Sequence, residues 1–119
     1  MPSFNRIVRK RYWQQRRRCI WCGELTWCRT VMRARDAAKE FGIAMGERGS
    51  RKALRHRMAT AEHIWPKSLG GTNGVANIVM ACQLCNSRRS RNSAAFPPNQ
   101  EVLTFLPKEI QGKVRRYAT

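Results

Sequence analysis

Four cysteines arranged in two pairs are the residues whose type and spacing most clearly suggest chemistry in this sequence. Two residues separate the members of each pair, Cys19 with Cys22 and Cys82 with Cys85. This spacing lets both sulfurs of a pair reach one metal ion, and two such pairs complete the tetrahedral thiolate coordination that zinc prefers. We therefore expect one structural Zn2+ ion with no open coordination position. A redox-active pair would need a βαβ context that is missing here, and we expect Cys28 to be a buried, inert thiol.

An acidic residue, a histidine and two asparagines near the second cysteine pair suggest another, oxygen-rich site. Glu62 and His63 are adjacent, Asn77 follows a turn-rich loop, and Asn86 comes directly after Cys85. An imidazole can accept a proton at neutral pH, and carboxylate and amide oxygens suit a hard divalent cation. Taken alone, Asn77 has a simpler interpretation as a turn residue, and Asn86 has one as the N-cap of a helix.

The charge of the chain points to a polyanion as its partner. There are 24 lysines and arginines against 7 acidic residues, a net charge of +17 in 119 residues. Nucleic acid is the first candidate for such an excess, since membrane-surface binding would need a broader apolar helix face than the N-terminal segment offers. We expect phosphate contacts from nine basic side chains: Arg16, Arg17, Arg18, Arg51, Lys52, Arg55, Arg88, Arg89 and Arg91.

Neither membrane insertion nor secretion is indicated by the sequence. No stretch is long and apolar enough to span a bilayer, and the arginine-rich N-terminus lacks the apolar run of a signal peptide. Five cysteines also fit poorly with a secreted disulfide framework. We therefore expect an intracellular protein.

Hydrophobic spacing and turn residues predict an α+β chain with one compact domain. A basic N-terminal arm over 1–18, mobile or ordered only on a polyanion, precedes a domain at 19–91 with a basic helical insertion at 29–57. A C-terminal extension with a short basic helix covers 92–119. We predict helices over 30–41, 50–57, 83–91 and from Pro107 onward, and antiparallel strands over 58–64 and 77–81.

The combined pattern resembles the HNH endonucleases, which are nucleases of the ββα-metal class. The resemblance is carried by Glu-His-Ile-Trp-Pro-Lys-Ser-Leu-Gly-Gly at 62–71 and Asn-Ile-Val-Met-Ala-Cys-Gln-Leu-Cys-Asn at 77–86, together with the first cysteine pair. It covers 19–22 and about 58–90. It implies a small ββα core stapled by zinc, with extra helices added, and hydrolysis of phosphodiester bonds in DNA. It also implies a phage or mobile-element context, such as homing, with the cytoplasm of a bacterial host as the location.

The resemblance assigns a role to each residue of the oxygen-rich site. His63 would be the general base, and Asn77 would orient it through a hydrogen bond. Glu62 and Asn86 would hold one catalytic cation, Mg2+ or Mn2+. Two positions depart from the family pattern, since Glu62 stands where Asp or His is usual and Asn86 stands where His is frequent.

The departure at Glu62 and the high charge keep a second interpretation open. The chain would then be a zinc-stapled nucleic-acid-binding protein, or a nucleoprotein component, with an idle HNH site. Double-stranded DNA is the expected partner of the nuclease, with a phage or mobile-element protein as a further one, and the second interpretation leaves the kind of nucleic acid open. We expect a monomer or homodimer that does not bind membranes.

Overall fold

A computed structural model describes residues 3–91 and 97–117, with the side chains of 3–89 and 97–116. The helices in these ranges are α1 (Phe4–Gln14), α2 (Ala34–Glu40), α3 (Ser50–His56), α4 (Gln83–Arg91), α5 (Gln100–Thr104) and α6 (Lys108–Tyr117). The strands are β1 (Ala59–His63) and β2 (Ile78–Cys82). No helix in this part of the chain combines the length and apolar character needed to cross a membrane.

The two strands form an antiparallel hairpin that leads directly into α4. Ala59 pairs with Cys82 and His63 pairs with Ile78, and a turn-rich loop joins the strands. All five residues of β2 are buried, because helices cover the sheet. The predicted α+β class and the predicted order of hairpin and helix are confirmed.

The N-terminal segment differs from the expected mobile arm, because α1 packs on the hairpin. Val8 and Tyr12 of α1 share a hydrophobic cluster with Ala59 and Met80 of the strands. Ser3 caps the helix by accepting a hydrogen bond from the Arg6 backbone. The buried positions of α1 recur at helical spacing, which gives this short segment one face that belongs to the core.

Two polar side chains of this N-terminal segment form hydrogen bonds with backbone groups at the open edge of β2. The Gln15 amide accepts from the Met80 backbone N–H and donates to the Met80 carbonyl, both at 2.9 Å. The Arg11 guanidinium donates to the carbonyls of Ile78 at 2.8 Å and Val75 at 2.7 Å. Because unpaired backbone groups at a buried edge are costly, these bonds fix the N-terminal segment to the hairpin.

The other face of the hairpin carries the largest hydrophobic cluster among the described residues. The C-terminal segment from α5 to α6 contributes five of its nine aliphatic side chains, so the extension is part of the same packed unit. Its apolar members other than the cysteines are Ile20, Trp21, Ile64, Val79, Ala81, Val102, Leu103, Leu106, Ile110 and Val114.

The basic insertion has a small core of its own. Trp27 packs with Ala37 and Ala38 of α2 and with Leu54 of α3, and its indole N–H donates to the Leu54 carbonyl at 2.8 Å. Helices of seven residues are unstable alone, so this packing is what holds α2 and α3 in place. The insertion thereby presents the rest of α3 to solvent next to β1.

Candidate functional site

The four paired cysteines converge on one point between the turn over 19–22, here called the first knuckle, and the start of α4. The Sγ atoms of Cys19, Cys22, Cys82 and Cys85 all lie within 4.8 Å of one another, and those of Cys22 and Cys82 are 3.9 Å apart. Sulfurs placed 2.3 Å from a tetrahedral zinc ion would be separated by about 3.8 Å. The cluster can therefore hold a structural metal ion with thiolate ligands.

The backbone around the cysteines is shaped to present the sulfurs. The N–H of Trp21 points at Cys19 Sγ at 3.3 Å, and the N–H of Cys85 points at Cys82 Sγ at 3.4 Å. Gly23 closes the first knuckle with φ at +76°, where its N–H donates to the Cys19 carbonyl at 3.0 Å. The positive φ favours glycine at this position, and a Cβ there would also require the Asn99 side-chain amide to shift.

The protonation of the four thiols is coupled because they are so close. Hydrogen bonds from neighbouring thiols, with Cys22 as the main partner, raise the pKa of Cys19, and bonds led by Cys19 raise the pKa of Cys85. The same bonds lower the pKa of Cys22 and bring the pKa of Cys82 to about 7. Four thiolates in this space repel one another, and a bound cation is what allows all four protons to leave.

Glu62 lies in the interior, on the face of β1 that meets α4. Its carboxylate accepts a hydrogen bond from the Trp21 indole N–H at 3.0 Å and forms an ion pair with Arg89 at 3.2 Å. The residue is only 6 % exposed. Burial raises the pKa of the Glu62 carboxyl, and the bonds from Trp21 and Arg89 oppose this shift without cancelling it.

Arg89 is committed to contacts inside the protein. Besides Glu62, its guanidinium donates to the carbonyls of His63 at 2.9 Å and Ile64 at 3.3 Å. It also lies 4.6 Å from the centre of the Trp21 ring. A phosphate contact was expected from this arginine. In the structure Arg89 instead connects α4 to the end of β1 through these hydrogen bonds.

His63 projects from the opposite face of β1, toward α1. Successive side chains of a strand alternate between faces, and here Phe4 of α1 contacts His63 while Arg89 of α4 contacts Glu62. The Nε2 atom of His63 lies 2.9 Å from Oδ1 of Asn73. Since an amide oxygen only accepts, Nε2 carries the proton in this contact, and Nδ1 is then the ring atom that can take one.

Asn77 does not orient His63 in the structure, contrary to the expectation. Its Oδ1 accepts from the Trp65 N–H at 2.9 Å, and its Nδ2 donates to the carbonyls of Trp65 at 3.1 Å and Thr72 at 2.8 Å. Both ends of the amide are thus used to close the loop between the strands. The residue that touches His63 is Asn73, which was not predicted from the sequence although it is a polar residue in the same glycine-rich turn.

Asn86 joins the first turns of α4 to the strand that carries Glu62. Its Nδ2 donates to the Thr60 hydroxyl at 3.0 Å and to the Ala61 carbonyl at 2.9 Å. Thr60 precedes Glu62 by two residues, so the two side chains lie on the same face of β1. The structure therefore brings Asn86 to the face that carries the Glu62 carboxylate.

The comparison with protein families bears on this hairpin and helix. Residues 51–96 match the family model described as HNH endonuclease. This part of the chain is an HNH domain. Comparison with curated proteins and with solved structures found no significant match. The matched range begins one residue into α3 and contains the hairpin and α4, whereas α1 and the first cysteine pair lie outside it.

The basic residues around the HNH domain fall into two groups. Some are built into the protein: Arg17 bonds to Tyr12 and Glu40, and Arg18 donates to the Gly23 carbonyl at 2.9 Å. Arg16 is exposed, with its guanidinium stacked on Phe105 at 3.8 Å. The predicted contacts that are exposed on α3 and α4 are Arg51, Lys52, Arg55 and Arg88. The side chain of Arg91 lies outside the described residues.

Proposed function

We propose that the protein is a metal-dependent HNH endonuclease that nicks or cleaves DNA by hydrolysing a phosphodiester bond. The observation that carries this proposal is the hydrogen bonding and exposure of His63, which lies within the residues that match the family. Its ring is partly accessible at the end of β1, and Asn73 holds Nε2 so that Nδ1 can accept a proton. A histidine fixed in this way is suited to act as a general base at neutral pH.

In the proposed reaction His63 takes a proton from the attacking water. Glu62 and Asn86 fit one hard divalent cation, Mg2+ or Mn2+, because they offer carboxylate and amide oxygens on one face of β1. Such a cation would supply charge stabilisation at the phosphate and at the leaving 3′ oxygen. Arg89 would have to share or give up its contact with Glu62 when the cation binds.

The cysteine cluster would have a purely structural part in this enzyme. Its donor set, four sulfurs at tetrahedral spacing, fits Zn2+ and leaves no position for substrate. The metal-bound cluster would hold the first knuckle against the start of α4, the helix that carries Asn86 and Arg89. The +17 charge supports a nucleic-acid substrate, and we propose double-stranded DNA and a phage or mobile-element role such as homing from the resemblance.

One observation favours a second candidate, a nucleic-acid-binding protein with an idle nuclease site. Arg89 already neutralises the Glu62 carboxylate, which is the one charged ligand proposed for the catalytic cation. If the ion pair outcompetes the cation, DNA binding would persist without hydrolysis.

Supercoiled plasmid nicking tests the two candidates directly. The wild type and the His63→Ala variant are compared with Mg2+, Mn2+, Zn2+ or EDTA, after zinc content has been matched. His56→Ala is the control, because His56 on α3 is the other of the two histidines in the chain. An enzyme loses nicking only in His63→Ala and keeps DNA binding in both variants. A wild type that binds DNA in a salt-sensitive way but never nicks it supports the idle-site candidate.

A further inference from the structure

A cleft of about 210 Å3 opens between the start of α1 and β1. Its apolar lining includes Val8, Ala59 and Ala61, and the Phe4 ring forms one side of it. Asn5 and Thr30 contribute polar groups to the lining. The volume is below the range of about 300–1,000 Å3 that is usual for drug-sized ligands, so it suits one flat ring system.

The cleft is continuous with the proposed general base. Phe4 lines the cleft, and its ring centre lies 5.8 Å from that of His63, with the two rings nearly perpendicular at 89°. Ala61 also lines the cleft and precedes His63 by two residues, on the same face of β1. A group bound there would be a direct neighbour of any phosphate placed at His63.

We propose that this cleft binds one unpaired nucleobase of the nucleic acid, next to the phosphate held at His63. The part of this proposal that concerns the scissile phosphate rests on the proposed function. Stacking on Phe4 and contact with Ala59 and Ala61 would hold any of the bases, because every base has a flat aromatic face. Phe4 is 41 % exposed, which leaves part of its ring available for stacking.

The charge around the cleft favours a nucleotide over an uncharged apolar ligand. Arg29 is exposed and lines the same cleft, where it can meet the phosphate attached to a bound base. A base that is paired in a duplex could not enter, so the bound nucleotide must come from a single strand or be turned out of the helix. The cleft therefore predicts a preference for single-stranded, gapped or mismatched DNA at this position.

Binding of two short strands that share the same phosphates tests the proposal. One strand is pentathymidylate, and the other has the same length and backbone with abasic sugars throughout. Both are titrated against the full chain carrying His63→Gln, which is used so that no strand is cut. We expect Phe4→Ala in this background to weaken pentathymidylate binding by about 5- to 150-fold, which is the fold-change for losing one base stacked on an aromatic ring. Binding of the abasic strand should be unchanged.

Trp13→Ala provides the matched control, because Trp13 is the other strongly exposed aromatic residue of α1 and does not line the cleft. It should leave the preference for pentathymidylate intact. The proposal is overturned if the preference survives Phe4→Ala, if Trp13→Ala removes it equally, or if the parent variant shows no preference. Plasmid nicking by the wild type is scored separately, so failure of the nuclease proposal would be visible as intact base preference without cleavage.

Discussion

Arg89 and Glu62 form an ion pair inside the protein, with 3.2 Å between the guanidinium and the carboxylate. Their side chains are only 14 % and 8 % exposed, so water screens the pair poorly. The same arginine reaches the backbone of His63 and Ile64. Arg89 thus connects α4 of the HNH domain to Glu62, the proposed metal ligand, and to the end of β1 at His63, the proposed base.

Arg89→Ala should destabilise the protein by about 3–5 kcal/mol, because it leaves a buried carboxylate without its partner. The double variant Arg89→Ala/Glu62→Gln should recover part of this loss, since no charge then remains buried. Urea unfolding at fixed zinc concentration measures both free energies. Arg88→Ala is the control and should change stability by less than about 0.5 kcal/mol, because Arg88 is exposed. Equal effects at the two arginines would show that the pair does not stabilise the fold.

The buried Glu62 should also make stability depend on pH. Burial raises the pKa of this carboxyl in the folded protein, so the folded state holds its proton more tightly than the unfolded state does. This contribution is complete below the unfolded pKa of about 4.3 and is lost as the pH rises through the folded value. The free energy of unfolding of the wild type, relative to Glu62→Gln, should therefore fall as the pH rises toward neutrality. A flat or rising difference across a series of urea titrations would contradict this.

The hairpin, α3, α4 and α6 were predictable because their signals are local. Turn residues bound the strands, the second cysteine pair leads into α4, and Pro107 precedes α6. The packing of α1 was not predictable, since two of its anchoring residues are Arg11 and Gln15. Polar residues are expected at the surface, and only the position of the open β2 edge explains why these two are buried.

Two details of the candidate site also needed the three-dimensional structure. Arg88 and Arg89 are identical in type, and their orientation on α4 decides that one faces solvent while the other meets Glu62. Asn73 and Asn77 both lie in the connection between the strands, and spacing alone does not say which amide reaches His63. The loop closes on Asn77, and this closure leaves Asn73 beside the ring.

Asn73→Ala should slow nicking by up to about 100-fold, because the His63 ring is then without the hydrogen bond that fixes its orientation. The 15N chemical shifts of the His63 ring should show a lower fraction of the form protonated at Nε2. Asn73→Asp keeps an acceptor oxygen and should restore that form. In contrast, Asn77→Ala should lower stability through the loop and leave the ring protonated at Nε2. If Asn77→Ala changes the ring and Asn73→Ala does not, the assignment of the two residues is reversed.

The exposed arginines of α3 should contribute to DNA affinity by neutralising phosphates. The double variant Arg51→Gln/Arg55→Gln should reduce the slope of log affinity against log salt concentration by about 0.9 for each phosphate that is no longer neutralised. Arg17→Gln should leave the slope unchanged and lower stability instead, because Arg17 is held by Tyr12 and Glu40. Fluorescence anisotropy with a labelled duplex at several salt concentrations separates these outcomes. An equal change of slope in both variants would mean that α3 has no special part in binding.

Loss of a cysteine ligand should unfold the protein rather than merely inactivate it. A structural zinc site contributes roughly 10 kcal/mol of apparent folding free energy, which is comparable to the whole stability of a domain of this size. Cys82→Ser should therefore abolish stoichiometric zinc and the cooperative thermal transition. Cys28→Ser is the matched control, because Cys28 is buried beside Thr30 and lies outside the four-sulfur cluster. Metal analysis and circular dichroism distinguish the two variants, and a Cys82→Ser protein that melts like Cys28→Ser would remove the structural role of the cluster.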